Sequence, residues 1–301
     1  MKNRFIFILL FLFIAGFFPD GWCADSISEN SVYRTFQNIM KQDISEPVLI
    51  YFVDANIDKV SPEIASSLVV GIESVQRRNL PEIENDYYPE TVQERMFAEF
   101  GHEGNYNDYR GVKDKALSML LEKTLKSGYK IQVGEGFYYP IIDYELYKKY
   151  QPRVTADIRD YIDIRAGDSM QVPMLDAALV ISWDEVLSRA GNAEQFLKTY
   201  PKSSKYQEIK EYFLFYLETI LYGANNTPVF DYSNETMDPA VLESYRQFLH
   251  HTNKGWIVPD LIDGFLSVSK RNDYQLTPEV DEYRRKTFDK IKDEFDVFKL
   301  D

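Results

Sequence analysis

Apolar residues recur at helical spacing along most of the chain, with polar residues between them. Three segments open with a capping residue and then proline, at Ser61-Pro62, Asp238-Pro239 and Thr277-Pro278. A capping side chain accepts a hydrogen bond from a free backbone N–H, and proline at the first helical position has no N–H to leave unbonded. Each pair therefore predicts a helix start. Apolar stripes typical of helices cover residues 64–75, 92–100, 112–125, 158–162, 175–187 and 209–221.

One segment departs from this helical pattern. Tyr129, Ile131 and Val133 alternate with polar residues, which is the period of a half-buried strand. Gly134-Glu135-Gly136 follows as a turn, because glycine adopts backbone angles that other residues avoid. Residues 137–142 are aromatic and β-branched enough to pair back on the first run. The sequence therefore predicts a β-hairpin between helical layers.

The predicted fold class is mainly α. We expect a helical bundle with stacked αα-hairpins in its C-terminal part and a small β-hairpin near residues 129–142. Residues 48–53, VLIYFV, fit either a short buried strand or a helix, and their helical surroundings favour the helix. The predicted division is an N-terminal helical part with the hairpin, residues 25–170, and a C-terminal αα-hairpin part, residues 171–301.

The C-terminal part contains a weak internal repeat with an offset of 52 residues. Residues 195–197, QFL, recur at 247–249, and Phe213 recurs as Phe265. Each copy has the pattern of helix, turn and helix. We therefore expect Phe196, Phe213, Phe248 and Phe265 to occupy inward positions.

Three short segments resemble known proteins. Residues 196–203, FLKTYPKS, resemble the turn of tetratricopeptide-like helical hairpins of exported bacterial proteins, over roughly residues 190–297. Residues 134–150 and 176–187 look like segments of exported bacterial proteins with no assigned activity. These resemblances imply a stack of αα-hairpins and bring no catalytic residues with them.

The first 24 residues have the pattern of a secretory signal peptide. A short basic stretch precedes an apolar run at residues 5–18, and Ala24 provides a small residue for cleavage. Cleavage near Ala24 predicts a secreted or periplasmic protein. The alternatives are lipid attachment at Cys23 and a retained anchor, and Trp22 fits the lipid signal poorly.

Composition excludes several function classes. Cys23 is the sole cysteine, so cleavage leaves a mature chain without disulfides or thiolate nucleophiles. The formal net charge of −14 repels nucleic acid and anionic lipid, so neither is an expected partner. After residue 24, no segment is apolar for long enough to cross a membrane.

No metal or cofactor site is predicted. His102 belongs to no HExxH pattern, and His250 and His251 are adjacent, so they point about 100° apart on a helix. Residues 54–58, DANID, open like a calcium loop. However, Lys59 replaces the glycine that such a loop needs for its turn, and its bidentate glutamate is also missing.

Glu135 is the leading candidate for catalysis. It lies between two glycines beside an aromatic run, and a carboxylic acid in an aromatic cleft can act as a general acid. Asp143 is its candidate partner across the hairpin. The simpler interpretation is a turn glutamate that points into water.

Tyrosine-rich pairs are the candidate binding residues. Tyr87-Tyr88 and Tyr138-Tyr139 each precede a proline, and Trp256 follows a glycine in the second repeat. An aromatic ring with a polar tip suits sugars and extended peptides.

Two functions follow as hypotheses. The first is an exported, non-catalytic binding or scaffold protein with a protein or glycan partner, because helical stacks form concave surfaces. The alternative is a carboxylate-dependent hydrolase of cell-surface glycan that uses Glu135 as its acid.

Overall fold

A computed structural model describes residues 28–42, 44–101, 104–252 and 255–297. The predicted signal peptide and His102 lie outside the described residues. Within that part of the chain, no helix combines the length and the hydrophobicity that a membrane span requires. The N-terminal elements are α1 (Glu29–Met40), α2 (Glu46–Asn56), α3 (Pro62–Asn85), α4 (Glu90–Phe100), α5 (Lys115–Lys126), β1 (Tyr129–Gly134), β2 (Phe137–Ile142) and α6 (Ala156–Met170).

The rest of the chain is also mostly helical, so the predicted mainly α class is confirmed. Residues 48–53 lie in α2, as their surroundings predicted. The C-terminal elements are β3 (Met174–Leu175), β4 (Ala178–Leu179), α7 (Trp183–Thr199), α8 (Tyr206–Tyr222), β5 (Gly223–Ala224), β6 (Thr227–Pro228), α9 (Pro239–His251), α10 (Ile257–Arg271) and α11 (Pro278–Val297).

The three proline-marked helix starts are confirmed. Helices α3, α9 and α11 begin at Pro62, Pro239 and Pro278. The Asp238 carboxylate accepts the Ala240 N–H at 2.7 Å, as an N-cap should. Ser61 makes no such side-chain bond, so its proline alone marks that start.

The predicted β-hairpin is also present. Strands β1 and β2 pair antiparallel, with Tyr129 opposite Ile142 and Gly134 opposite Phe137. The turn residues Glu135 and Gly136 have φ values of 52° and 74°. Two successive positive φ values are typical of the two-residue turn whose twist matches a hairpin.

The helix predicted over residues 175–187 is wrong in its first half. Leu175 and Leu179 belong to a second small hairpin, β3–β4, and α7 begins only at Trp183. The turn residues Asp176 and Ala177 have φ values of 53° and 56°, so the chain reverses there without a glycine. Each strand of this hairpin has only two residues, so Leu175 and Leu179 are four residues apart, which is also the spacing of a helical stripe.

The C-terminal helices pack in sequence. Helix α7 packs against α6, α8 and α9, α9 packs against α10, and α11 closes the stack against α10 and α8. Phe196, Phe213 and Phe265 are buried in this core, as predicted. Phe248 is only half-buried, because it borders a surface cavity beside α7.

A buried charge network joins the two predicted parts of the chain. Glu73 of α3 is 2 % exposed and receives the Lys205 ammonium at 2.5 Å. The hydroxyls of Tyr144 and Tyr161 and the Arg77 guanidinium also donate to the Glu73 carboxylate. Burial opposes ionisation of Glu73, but the positive charges of Lys205 and Arg77 outweigh it and lower its pKa to about 2.

Candidate functional site

The two candidate catalytic carboxylates do not meet. Glu135 is exposed in the turn, where its backbone N–H donates to Asp176 Oδ1 at 2.6 Å. Asp143 follows the other end of the hairpin, where Lys130 Nζ lies 3.9 Å from its carboxylate. The two ends of such strands are separated by about 17 Å, since a strand rises ~3.4 Å per residue. The predicted pair across the hairpin is therefore not formed.

The tyrosine pairs contribute little open surface. Tyr87 and Tyr138 are buried, and their hydroxyls donate to Thr124 Oγ1 and to the Gly101 carbonyl. Each ring fills the core and its polar tip is already hydrogen-bonded, so neither ring offers surface to a ligand in this structure. Tyr139 is half-buried. Tyr88 is exposed and lies against Phe137, with ring centroids 6.1 Å apart.

The acids of the calcium-like segment are bound to cations. Asp54 lies in α2 and accepts Lys149 Nζ at 2.9 Å and Tyr150 Oη at 2.7 Å. Asp58 pairs with Arg153 at 2.7 Å. Among the described residues, no cluster of three or more histidine, cysteine, aspartate or glutamate side chains is placed to hold a metal ion.

Three neighbouring cavities in the C-terminal part share lining residues, and we call them together the α7 trough. The first, about 300 Å³, lies between α6 and α7, and the second, about 440 Å³, lies between α7 and α9. Both are lined by Asn192 and Gln195 of α7. Thr252 and Pro259 then continue the second cavity into a third of about 310 Å³. The trough thus crosses the helical layer from α6 over α7 to α9 and α10.

Two amide side chains stand at the centre of the trough. Asn192 and Gln195 are three residues apart and exposed, so they share one face of α7. Gln195 donates to Thr199 Oγ1 at 2.7 Å. An amide side chain both donates and accepts hydrogen bonds, so this centre can bind a ligand with mixed polar groups.

Two glycines open the trough to its helix backbones. Gly167 of α6 and Gly191 of α7 line the first and second cavities. A Cβ atom at either position would meet nothing within 4 Å. In contrast, a Cβ at Gly71 of α3 would collide with the Phe36 ring, and one at Gly264 of α10 with Tyr283.

The glycines at 167 and 191 therefore have no packing reason. Glycine inside a helix costs about 0.5–1 kcal/mol relative to alanine. Neither residue has a positive φ, so no backbone strain requires glycine there. What the missing side chains do provide is access for another molecule to the backbones of Gly167 and Gly191.

Trp256 forms the far wall of the second cavity, which is the one predicted binding residue that the trough uses. It is half-buried, and Lys198 Nζ lies 3.8 Å from the centre of its ring. Beside it, the buried Glu194 of α7 accepts the N–H groups of Ile257 and Val258 at 2.5 and 3.0 Å. Glu194 thereby caps α10 from another helix and fixes the position of the tryptophan.

The near end of the trough is the first cavity, between α6 and α7, and it is acidic. Its lining carries Asp160, Asp163, Asp168 and Glu185 around a single cation, Arg189. The Asp168 carboxylate accepts Arg189 Nη1 at 2.8 Å, and Arg189 Nε donates to Glu185 at 2.7 Å. Arg159 pairs with Asp160 at 3.0 Å, and the charge of Arg165 acts on Asp168. Four carboxylates therefore face three guanidinium groups at this end.

Asp168 is a partly buried acid of this lining. Burial raises the pKa of Asp168 to about 6, although the charges of Arg165 and Arg189 and the Tyr216 hydroxyl act in the opposite direction. Tyr216 Oη donates to the same carboxylate at 3.0 Å. Asp168 is thus held by two donors from α7 and α8.

A larger cleft of about 760 Å³ lies between α1, α3 and the start of α6. Several of its hydroxyl groups form hydrogen bonds within the protein: Ser66 Oγ lies 2.8 Å from Thr155 Oγ1, and Ser74 Oγ donates to the Val70 carbonyl at 2.9 Å. Gly71, which lines this cleft, is occupied by the Phe36 ring. Size favours this cleft, but the glycine that lines it is packed against the Phe36 ring, whereas the α7 trough leaves two helical glycines open, so the trough is the better candidate.

No protein-family model matches this chain, and neither a curated protein nor a solved structure is significantly similar to it. Function is therefore inferred from the residues of the trough.

Sequence reasoning missed most of the trough. It identified Trp256 but not Gly167, Gly191, Asn192 or Asp168. One signal was available, because an isolated glycine inside a helical pattern has either a packing reason or a functional one. Choosing between the two needs the three-dimensional neighbours, which the sequence does not show.

Gly191→Ala is expected to stabilise the protein. We expect the free energy of unfolding to rise by about 0.5–1 kcal/mol, because alanine favours the helix and its methyl group enters open space. Urea unfolding followed by circular dichroism measures this change. Gly71→Ala is the matched control and should destabilise, because its methyl group would overlap the Phe36 ring. A loss of stability in Gly191→Ala would contradict the open position.

Proposed function

We propose that this chain is an exported, non-catalytic binding protein that holds a partner in the α7 trough. The pair of unpacked glycines, Gly167 and Gly191, carries the proposal. Glycine at these positions lowers helix stability, and no neighbouring residue packs closely enough to require it. Close approach of a ligand to the backbone accounts for the glycines. The exposed amides of Asn192 and Gln195 line the same two cavities as the glycines and offer hydrogen bonds to that ligand.

The state of the acidic groups supports binding over catalysis. Glu135 is exposed, and Asp143 lies at the other end of the hairpin, beside Lys130. Asp168 is engaged by Arg189 and Tyr216. Asp143 and Asp168 have cations beside them, and the three carboxylates form no acid–nucleophile pair around an open space.

Export is part of the proposal and has its own test. The pattern of residues 1–24 is that of a secretory signal peptide. We expect the mature protein to begin near Asp25 and to carry no lipid. Mass spectrometry of the protein from the producing cell checks this, and a diacylated Cys23 or an intact N-terminus would refute it.

The glycan hydrolase remains a second candidate because of one observation. Asp168 combines a raised pKa with a position in the wall of a cavity of about 300 Å³. A carboxylic acid that is partly protonated near neutral pH can serve as a general acid. If this candidate is correct, Asp168→Asn abolishes turnover of a cell-surface glycan, whereas Glu135→Gln leaves it unchanged.

Site-specific photo-cross-linking in the producing cell tests the binding function. A photoreactive amino acid at position 192 faces the trough, and one at position 218 lies on the exposed face of α8, which contributes nothing to the trough lining. We expect discrete adducts from position 192 and none from position 218. Adding Gly191→Phe, whose ring fills the trough, should remove those adducts. Equal adducts at both positions, or adducts that survive Gly191→Phe, would overturn the proposal.

A further inference from the structure

We infer that the ligand of the α7 trough is an extended peptide segment that carries lysine or arginine at one end and an apolar side chain at the other. This inference rests on the proposed binding function and names its ligand class. The observations behind it are the backbone access at the two glycines, the charge of the near end and the ring at the far end.

The centre of the trough matches a polypeptide backbone. A peptide offers alternating N–H and C=O groups, and the amides of Asn192 and Gln195 can pair with both kinds. The absence of side chains at Gly167 and Gly191 lets an extended strand lie close to α6 and α7. Packed helices are about 8–10 Å apart, so the path from α6 to α9 is about 20 Å long and fits about six extended residues.

The near end selects positive charge. The first cavity is lined by the carboxylates of Asp160, Asp163, Asp168 and Glu185 and by one guanidinium, Arg189. Asp163 is exposed, and the amide of Gln151 is its described partner, at 2.7 Å. Arg159 pairs with Asp160 at 3.0 Å and also interacts with Asp163, so these two carboxylates share one guanidinium. An ammonium or guanidinium group from a ligand therefore finds carboxylates there that are only partly compensated. The net charge of −14 favours a basic ligand over the whole surface as well.

The far end is the Trp256 side of the second cavity, and it selects an apolar side chain over a sugar. Sugar rings stack on an open aromatic face, but Lys198 Nζ lies over the Trp256 ring at 3.8 Å. The space beside this ring is bordered by Phe248, Val258 and Pro259. An aliphatic side chain buries its surface against these groups without needing the covered face.

Isothermal titration calorimetry with defined peptides tests the inference. The probes are acetylated and amidated hexapeptide pools, each with one leucine, that differ only in net positive, zero or net negative charge. At low salt we expect the positive pool to bind about tenfold more tightly than the negative pool, and this preference should shrink at high salt because ions screen exposed charges. Asp163→Lys should weaken the positive pool about fivefold, since exposed charge pairs have modest energies. Glu218→Lys, on the exposed face of α8, is the matched control and should leave binding unchanged.

Gly191→Phe separates failure of this inference from failure of the binding function. If all pools bind equally and Gly191→Phe abolishes their binding, the trough is a binding site but the charge preference is wrong. If a glycan array binds and the peptides do not, and Gly191→Phe removes the glycan signal, the binding function stands and the peptide ligand is refuted. If no probe binds, the inference is overturned. If binding persists in Gly191→Phe, both proposals fail.

Discussion

Replacing Glu73 by glutamine is expected to lower the free energy of unfolding by about 3–5 kcal/mol, because it leaves a buried cation without its main partner. Lys205 is nearly buried and donates to Glu73 at 2.5 Å and to Glu208 at 3.3 Å. The glutamine keeps the shape of the side chain but removes the negative charge that Lys205 and Arg77 surround. Urea unfolding at neutral pH measures the loss.

The pH dependence of stability independently measures how much ionised Glu73 stabilises the fold. The pKa of Glu73 is about 2 in the folded protein, below its ordinary value of 4.5. A lowered folded pKa means that ionised Glu73 stabilises the fold above pH 4.5, and that this contribution is lost as the pH falls from 4.5 toward 2. The shift corresponds to about 3 kcal/mol. Glu73→Gln should therefore lose stability less steeply than the natural protein over this pH window.

Two further variants test whether the loss of stability in Glu73→Gln comes from the interaction of Glu73 with Lys205. Glu82→Gln changes an exposed glutamate of the same helix and should shift stability by no more than about 0.5 kcal/mol. Glu73→Gln combined with Lys205→Met removes both buried charges and should cost less than the sum of the single changes. Additive losses would show that the two groups do not interact.

Truncating Phe213 or Phe265 to alanine is expected to cost about 3–5 kcal/mol each, because each ring is fully buried and would leave a cavity. Phe213 packs against Phe295, with ring centroids 5.7 Å apart. Phe265 lies parallel to Tyr283 at 6.2 Å. Denaturant unfolding of the two variants measures both losses.

The matched comparison uses less buried rings of the same hairpins. Phe248 and Tyr206 are half-buried, so their alanine variants should cost clearly less than those of Phe213 and Phe265. Equal losses at all four positions would contradict the packing described for α7–α10. The predicted equivalence of Phe196 with Phe248 already fails in burial, since Phe196 is 2 % exposed and Phe248 borders the trough.

Elements with a strong local cause were predictable from sequence. Proline at a first helical position fixes a start by its own covalent geometry, and the Gly134-Glu135-Gly136 turn determines the first hairpin. The β3–β4 hairpin was not predictable, because Asp176 and Ala177 adopt positive φ without being glycine. Tertiary contacts, such as the Asn226 N–H bond to the Ala177 carbonyl at 2.8 Å, hold that turn.

The candidate site was less predictable than the fold. Composition drew attention to tyrosine pairs, but strand alternation turns Tyr138 into the core and leaves Tyr139 half-buried. The trough depends on which helices lie side by side, and no local pattern encodes that arrangement. Only Trp256, which follows a turn glycine, was recognised from its local context.

The Glu194 cap bears on how the two C-terminal hairpins fold. In a simple repeat array each unit satisfies its own backbone, and folding can begin at any unit and spread. Here the first N–H groups of α10, at Ile257 and Val258, find their acceptor on α7, in the preceding hairpin. The second hairpin is therefore completed by a residue of the first. The two should form in a single cooperative transition, in which slow exchange of the Ile257 and Val258 amide hydrogens reports the docking of α7.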